Sequence, residues 1–486
     1  MLPRHLIRLA CAALLASLVP ARGEEQNLWP FRVQREDPAT GTTAIEVLGP
    51  LFFARSGPEG EQKGQRPLFL TNTADGVTTG SFAYPFFTWR REQDYRTFSF
   101  FQLVNTRVSD PVDGPRDEHF DVWPFYFSRT TPNPEDNYRA FFPIAGTVKN
   151  RFGKDQIKFV LAPLYTQVEK NGGRTTYAPF PFLRFVGGEG YHGFGFWPFF
   201  GHAAHDGDYD RRFWLWPFGY HSVTHLDQPV PDVALGVLPF YSRDTGPGYI
   251  RENYAWPFFG YTHRTAPYKY DEQRYFWPLL VQGRGDQRVI NRWAPVYTHS
   301  NIKGYDKTWV LWPLYRHARW SADGVAQRKD TVLFFFWWSL GQQSLANPDA
   351  APAHKAHLWP LFSSWDNGAG RKQVQALSPF EVFFPQNETV RRLWTPLFAL
   401  YRYERTPDAA ERHALLWNAV TWQRGRETRE FHLGPLFSVH ADAAGRRVAF
   451  GNGVVGWRRA TGERPRFFLF DFRPQAAIKA SQATSP

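Results

Sequence analysis

An all-β fold is what the sequence predicts: about 24 short repeated strand units in up-and-down order, closing into a large β-barrel or barrel-like array. A soluble β-solenoid or propeller-like repeat array is the alternative. Three observations carry this expectation. A short aromatic–proline core recurs along the whole chain, proline sits inside nearly every apolar run, and clusters of Gly, Asn and Asp separate the runs.

The strict core is Trp-Pro followed by Phe or Leu. It occurs at Trp29-Pro30, Trp123-Pro124, Trp197-Pro198, Trp216-Pro217, Trp256-Pro257, Trp277-Pro278, Trp312-Pro313 and Trp359-Pro360. Looser copies centre on Pro50, Pro67, Pro85, Pro143, Pro163, Pro179, Pro239, Pro295, Pro379, Pro396 and Pro435. Proline-free apolar runs near Phe101, Phe335, Trp417, Val455 and Phe470 fill the gaps, giving a period of about 19 residues.

Each unit reads as one strand and one turn. Tyr275 to Val281 is aromatic and β-branched and gives way to Gly283-Arg284-Gly285-Asp286. A helix fails here because an interior proline costs it about 3 kcal/mol. A period of about 19 residues suits a strand of ~9–11 residues with its turn. Trp312 and Leu314 fall on one face, Pro313 and Tyr315 on the other, so both faces read as covered. Proline removes a ladder donor, so it implies either a recurring bend at mid-strand or a corner between two very short strands.

Composition bounds the chain further. Its 486 residues include 45 Phe, 21 Tyr and 20 Trp, which excludes a disordered polypeptide. One Cys and one Met exclude a disulfide scaffold or a Cys-based metal site. Residues 1–23 read as a secretory signal peptide: basic Arg4, His5 and Arg8, an apolar Leu9 to Val19, and small residues at Ala21 and Gly23. A single β-repeat domain is expected over 24–472 and a polar tail over 473–486. No later stretch is apolar enough for a membrane helix.

The expected location is therefore the cell envelope, as an outer-membrane barrel or barrel-like structural or pore protein. The alternative is a soluble periplasmic or surface scaffold. Phe468, Phe470 and Phe472 share one face and resemble the aromatic-rich terminal strand of bacterial outer-membrane barrels, although the chain runs on to Pro486. Three features count against a barrel, one being that the aromatics read as lying at strand centres rather than in two end girdles. Mid-strand prolines would leave carbonyls unpaired in lipid. The gaps also do not alternate short and long.

Catalytic signatures are absent: there is no Gly-x-Ser-x-Gly, phosphate-binding Gly loop or His-Glu-x-x-His. No enzyme activity, cofactor or metal is expected. His202 and His205 with Asp206 and Asp208, His221 with His225, and His354 with His357 read as polar turn and strand-end residues. Net charge is +12, with arginine pairs at strand ends. Arg211, Arg212, Arg391 and Arg392 are candidate contacts to an anion or sugar, such as lipopolysaccharide, another envelope lipid or an acidic polysaccharide. No nucleic-acid motif accompanies the charge.

Overall fold

In a computed structural model of the chain, residues 25–37, 40–384 and 387–472 are described. The expected signal peptide over 1–23 and the tail over 473–486 lie outside the described residues.

The fold is all-β, as expected, but the described residues form 45 strands rather than about 24. The strands run in chain order as one antiparallel up-and-down sheet and are three to eight residues long, most of them six. The difference lies in the proline. The apolar core is not mid-strand; it is the corner between two strands. β27 (Tyr270–Phe276) stops before Trp277-Pro278-Leu279, and β28 (Leu280–Gly285) starts after it. Each repeat is therefore a hairpin. The sheet is also not closed into a barrel. β1 (Gln26–Leu28) pairs with β2 (Arg32–Asp37), and β45 (Arg466–Leu469) pairs with β44 (Val455–Ala460).

Two compact units divide the chain. One comprises 85–359; the other joins 1–84 to 360–486. The 85–359 unit carries the 28 strands from β8 (Phe87–Arg91) to β35 (Ala353–Leu358). Its largest buried apolar cluster is Phe127, Tyr138, Ala140, Val148 and Phe159, spread over four neighbouring strands. Most other strand residues are half-buried or exposed, so the expectation of two covered faces does not hold here.

The second unit adds the described helices α1 (Glu388–Leu393) and α2 (Thr395–Phe398). Asn387 caps α1, its side chain accepting from the Val390 N–H at 3.0 Å. Leu393 is fully buried and fixes the helix against the sheet.

Candidate functional site

In an up-and-down sheet, successive connections alternate between the two edges. Here the alternation is also chemical. Within the 85–359 unit, no connection from an odd to an even strand contains a charged residue, and all but 101–103, which holds Gln102, are wholly apolar: 123–125 is Trp-Pro-Phe, 161–164 Leu-Ala-Pro-Leu, 238–240 Leu-Pro-Phe and 333–336 Leu-Phe-Phe-Phe. The even-to-odd connections are dominated by Asp, Glu, Asn, Lys and Gly. Several are two-residue turns such as Asn171-Gly172, Lys303-Gly304 and Asp323-Gly324, with positive φ at both positions. The aromatic–proline turns thus line one edge and the charged turns the other, with Phe152-Gly153 an apolar exception on the polar edge. At ~4.8 Å per strand, 28 strands carry about 130 Å of apolar rim.

Rim side chains point outward. Phe240 is 74% exposed, and Trp216, Phe218, Trp312 and Phe125 are each about half exposed. A soluble monomer rarely shows so long a run of exposed apolar surface.

The backbone of the rim leaves few donors free. In Trp197-Pro198-Phe199, the Trp197 N–H donates to the Phe182 carbonyl of the preceding rim turn at 2.7 Å. Proline has no N–H. The Phe199 N–H donates to Phe196 at 2.9 Å. The next rim turn repeats this: Leu215 donates to Phe199 at 2.6 Å, Trp216 to Pro198 at 2.7 Å and Phe218 to Leu215 at 2.8 Å. Leu311, Trp312 and Leu314 follow the same scheme around Pro313. Proline thus removes the one donor per turn that this scheme would leave without a partner.

The eight Trp-Pro pairs of the sequence reading all lie in odd-to-even connections. Trp29-Pro30 is such a corner in the other unit, between β1 and β2.

The second feature is a cavity of about 920 Å³ inside the unit formed by 1–84 and 360–486. One wall is β2, β3 (Thr42–Val47) and β4 (Phe52–Gly57), where Arg35, Ala44 and Arg55 stand in register. The other is β37 (Lys372–Ala376), β38 (Tyr401–Arg405) and β39 (Glu411–Leu415), where Gln373, Glu404 and Arg412 form a row and Gln375, Arg402 and Ala414 the next. The small Ala44 between two arginines leaves room in front of them. Helix α1 contributes Arg391 and Arg392.

Eleven Arg or Lys and nine Asp or Glu side chains line this cavity. Arg35 crosses to Glu404 at 2.6 Å, and Arg402 reaches the same carboxylate at 2.7 Å. Burial would push the Glu404 carboxyl up, but Arg35, Arg402 and Arg412 hold it well below the usual range. Next to the cavity, Glu25 is buried yet lies at about 2: desolvation opposes ionisation, and Arg412, at 2.8 Å, overcomes it with help from His432 and Thr421.

Arg391 and Arg392, picked out from sequence, thus reach the cavity; Arg391 pairs with Glu381 and Arg392 with Glu388, each at 2.9 Å. Arg211 and Arg212 do not. They lie in the 85–359 unit on β21 (Tyr209–Trp214), Arg212 forked onto Asp210 at 3.1 and 2.9 Å and Arg211 over the Tyr209 ring. The histidines pair singly: His202 with Asp210, His205 with Asp208 and His225 with Asp232. Among the described residues, no three His, Cys, Asp or Glu converge as a metal site. Sequence reading passed over Arg55, Thr395, Glu404 and Arg405, which no local pattern sets apart.

The chain matches no protein-family model and no curated protein.

Proposed function

We propose that the protein is an exported cell-envelope scaffold that seats its aromatic–proline rim in the apolar layer of a lipid bilayer and holds its polar edge in water. One observation carries this reading: the rim combines outward-facing Trp, Phe and Leu with turns whose backbone donors are mostly bonded or absent. Apolar side chains supply the driving force, and unsatisfied backbone groups are what lipid penalises most. Trp suits the interfacial depth.

The seating is along one edge rather than through the bilayer. Six-residue strands reach about 20 Å, against the ~9–11 tilted residues a spanning strand uses. A closed pore would also need partners for the outer sides of β1 and β45. The outer membrane remains the proposed address, with periplasm or cell surface as the alternative, where the basic surface would meet acidic polysaccharide.

Flotation with neutral phosphatidylcholine vesicles at high salt tests the reading, because salt removes the electrostatic contribution of the basic surface. Wild-type protein is expected to float. A variant with Phe199→Asp, Phe218→Asp and Phe240→Asp is expected to stay in the dense fraction while keeping its far-UV circular dichroism. Wild-type protein that remains with the dense fraction in neutral lipid overturns the reading.

A further inference from the structure

The cavity between the β2–β4 and β37–β39 walls goes beyond the rim and does not depend on it. Its ion pairs leave a remainder. Arg35, Arg66, Arg391, Arg392, Arg402 and Arg412 each have a carboxylate partner. Arg55, Arg371, Arg405 and Arg426 are in no ion pair among the described residues.

Two further observations point to a ligand. Thr395 lines the cavity at 7% exposure, and its buried Oγ1 has no hydrogen-bond partner among the described residues. The buried Nε of Arg405 likewise has none. Buried polar groups are rarely left so, because each lost partner costs about 1–3 kcal/mol. Burial, and then the like charges of Arg392, Arg35 and Arg371, press the Arg55 guanidinium below its ordinary value. An anion placed among these groups would relieve that repulsion.

The size and the mixture of groups narrow the class. About 920 Å³ lies at the upper end of small-ligand sites. Guanidinium forks match phosphate oxygens. Glu36, Glu59, Gln373 and Gln375, also in the lining, suit hydroxyl groups. We infer that this cavity binds a phosphorylated saccharide, with Arg55, Arg371 and Arg405 on the phosphates and the Thr395 hydroxyl on the sugar or a phosphate oxygen. The same chemistry comes as a free sugar phosphate or as a glycolipid headgroup.

Calorimetric titration of the full chain with fructose bisphosphate tests this, with fructose and inorganic phosphate as comparisons. Fructose bisphosphate is expected to bind with Kd below about 1 mM, fructose not at all and phosphate more weakly. Arg55→Ala and Arg371→Ala are each expected to weaken it by about tenfold. Arg371 is exposed at the cavity mouth, so its replacement leaves the fold intact. Vesicles doped with a phosphoinositide distinguish the sources: extra binding over neutral vesicles that Arg371→Ala abolishes assigns a lipid headgroup, and its absence beside fructose bisphosphate binding assigns a free ligand. Absence of fructose bisphosphate binding, or equal affinity in the Arg55→Ala/Arg371→Ala protein, overturns the proposal. Neutral-vesicle flotation unaffected by these variants keeps that outcome separate from the rim.

Discussion

Arg35 and Glu404, 369 residues apart in the chain, meet at 2.6 Å and tie the first strands of the chain to the last ones within one unit. Glu404 also takes Arg402, so one carboxylate joins two walls of the cavity. Both partners of the long-range pair are only part-buried, so the expected coupling is modest. A double-mutant cycle with Arg35→Met and Glu404→Gln, read by urea denaturation, should give about 1–3 kcal/mol. A coupling near zero would mean the pair does not hold the walls together.

The Glu25–Arg412 pair is more deeply buried and sets an acid limit. The Glu25 carboxyl lies at about 2, below its usual value of 4.5, because its ionised form is favoured in the fold. Its contribution is complete above about pH 4.5 and is lost as pH falls toward 2. Arg412→Met leaves a buried carboxylate without its cationic partner at 2.8 Å and should cost about 3–5 kcal/mol at neutral pH. The variant should then lose less than wild type when melting temperature is followed from pH 5 down to pH 2, because protonating the unpaired carboxyl no longer costs an ion pair.

Proline at the rim should matter in lipid. Pro217→Ala restores an N–H between Trp216 and Phe218, whose own donors are already used. An unpartnered donor in an apolar layer costs several kcal/mol, so partition into neutral vesicles should drop at least tenfold. Pro247→Ala, in a turn of the polar edge, should leave partition unchanged. Equal effects from both would remove the distinction between the edges.

The polar edge has its own tight point. Gly248 has φ +76°, and a Cβ there would lie 2.7 Å from the Ala266 Cβ. Gly248→Ala should cost about 1–3 kcal/mol, visible as a lower urea midpoint with an unchanged slope.

The repeat, its period and the all-β class were legible in the chain, because aromatic–proline spacing survives any arrangement of strands. The strand number was not. Trp277-Pro278-Leu279 satisfies the rules for a bent strand and for a corner equally well, and an apolar run is ordinarily read as buried. Here Trp277 and Leu279 are exposed, so apolarity marks an edge. The alternation of charge between successive gaps, as from 311–314 to 323–324, was the available clue to two strands per period. In the cavity, the adjacency of Arg391 and Arg392 drew notice, whereas Arg55 and Arg405 come to line one cavity only through side-chain contacts between segments far apart in the chain, such as Arg35 to Glu404.

The strict alternation of the two edges limits how such a chain can change length. Excising one strand with one turn would reverse the direction of every later strand, sending each downstream Trp-Pro corner to the water side and each Asp-Gly turn to the rim. Removing or duplicating a whole hairpin of about 20 residues leaves both edges intact. Viable shorter or longer forms should therefore differ by complete hairpins, and a deletion series stepping by single strands should alternate between folded and insoluble products.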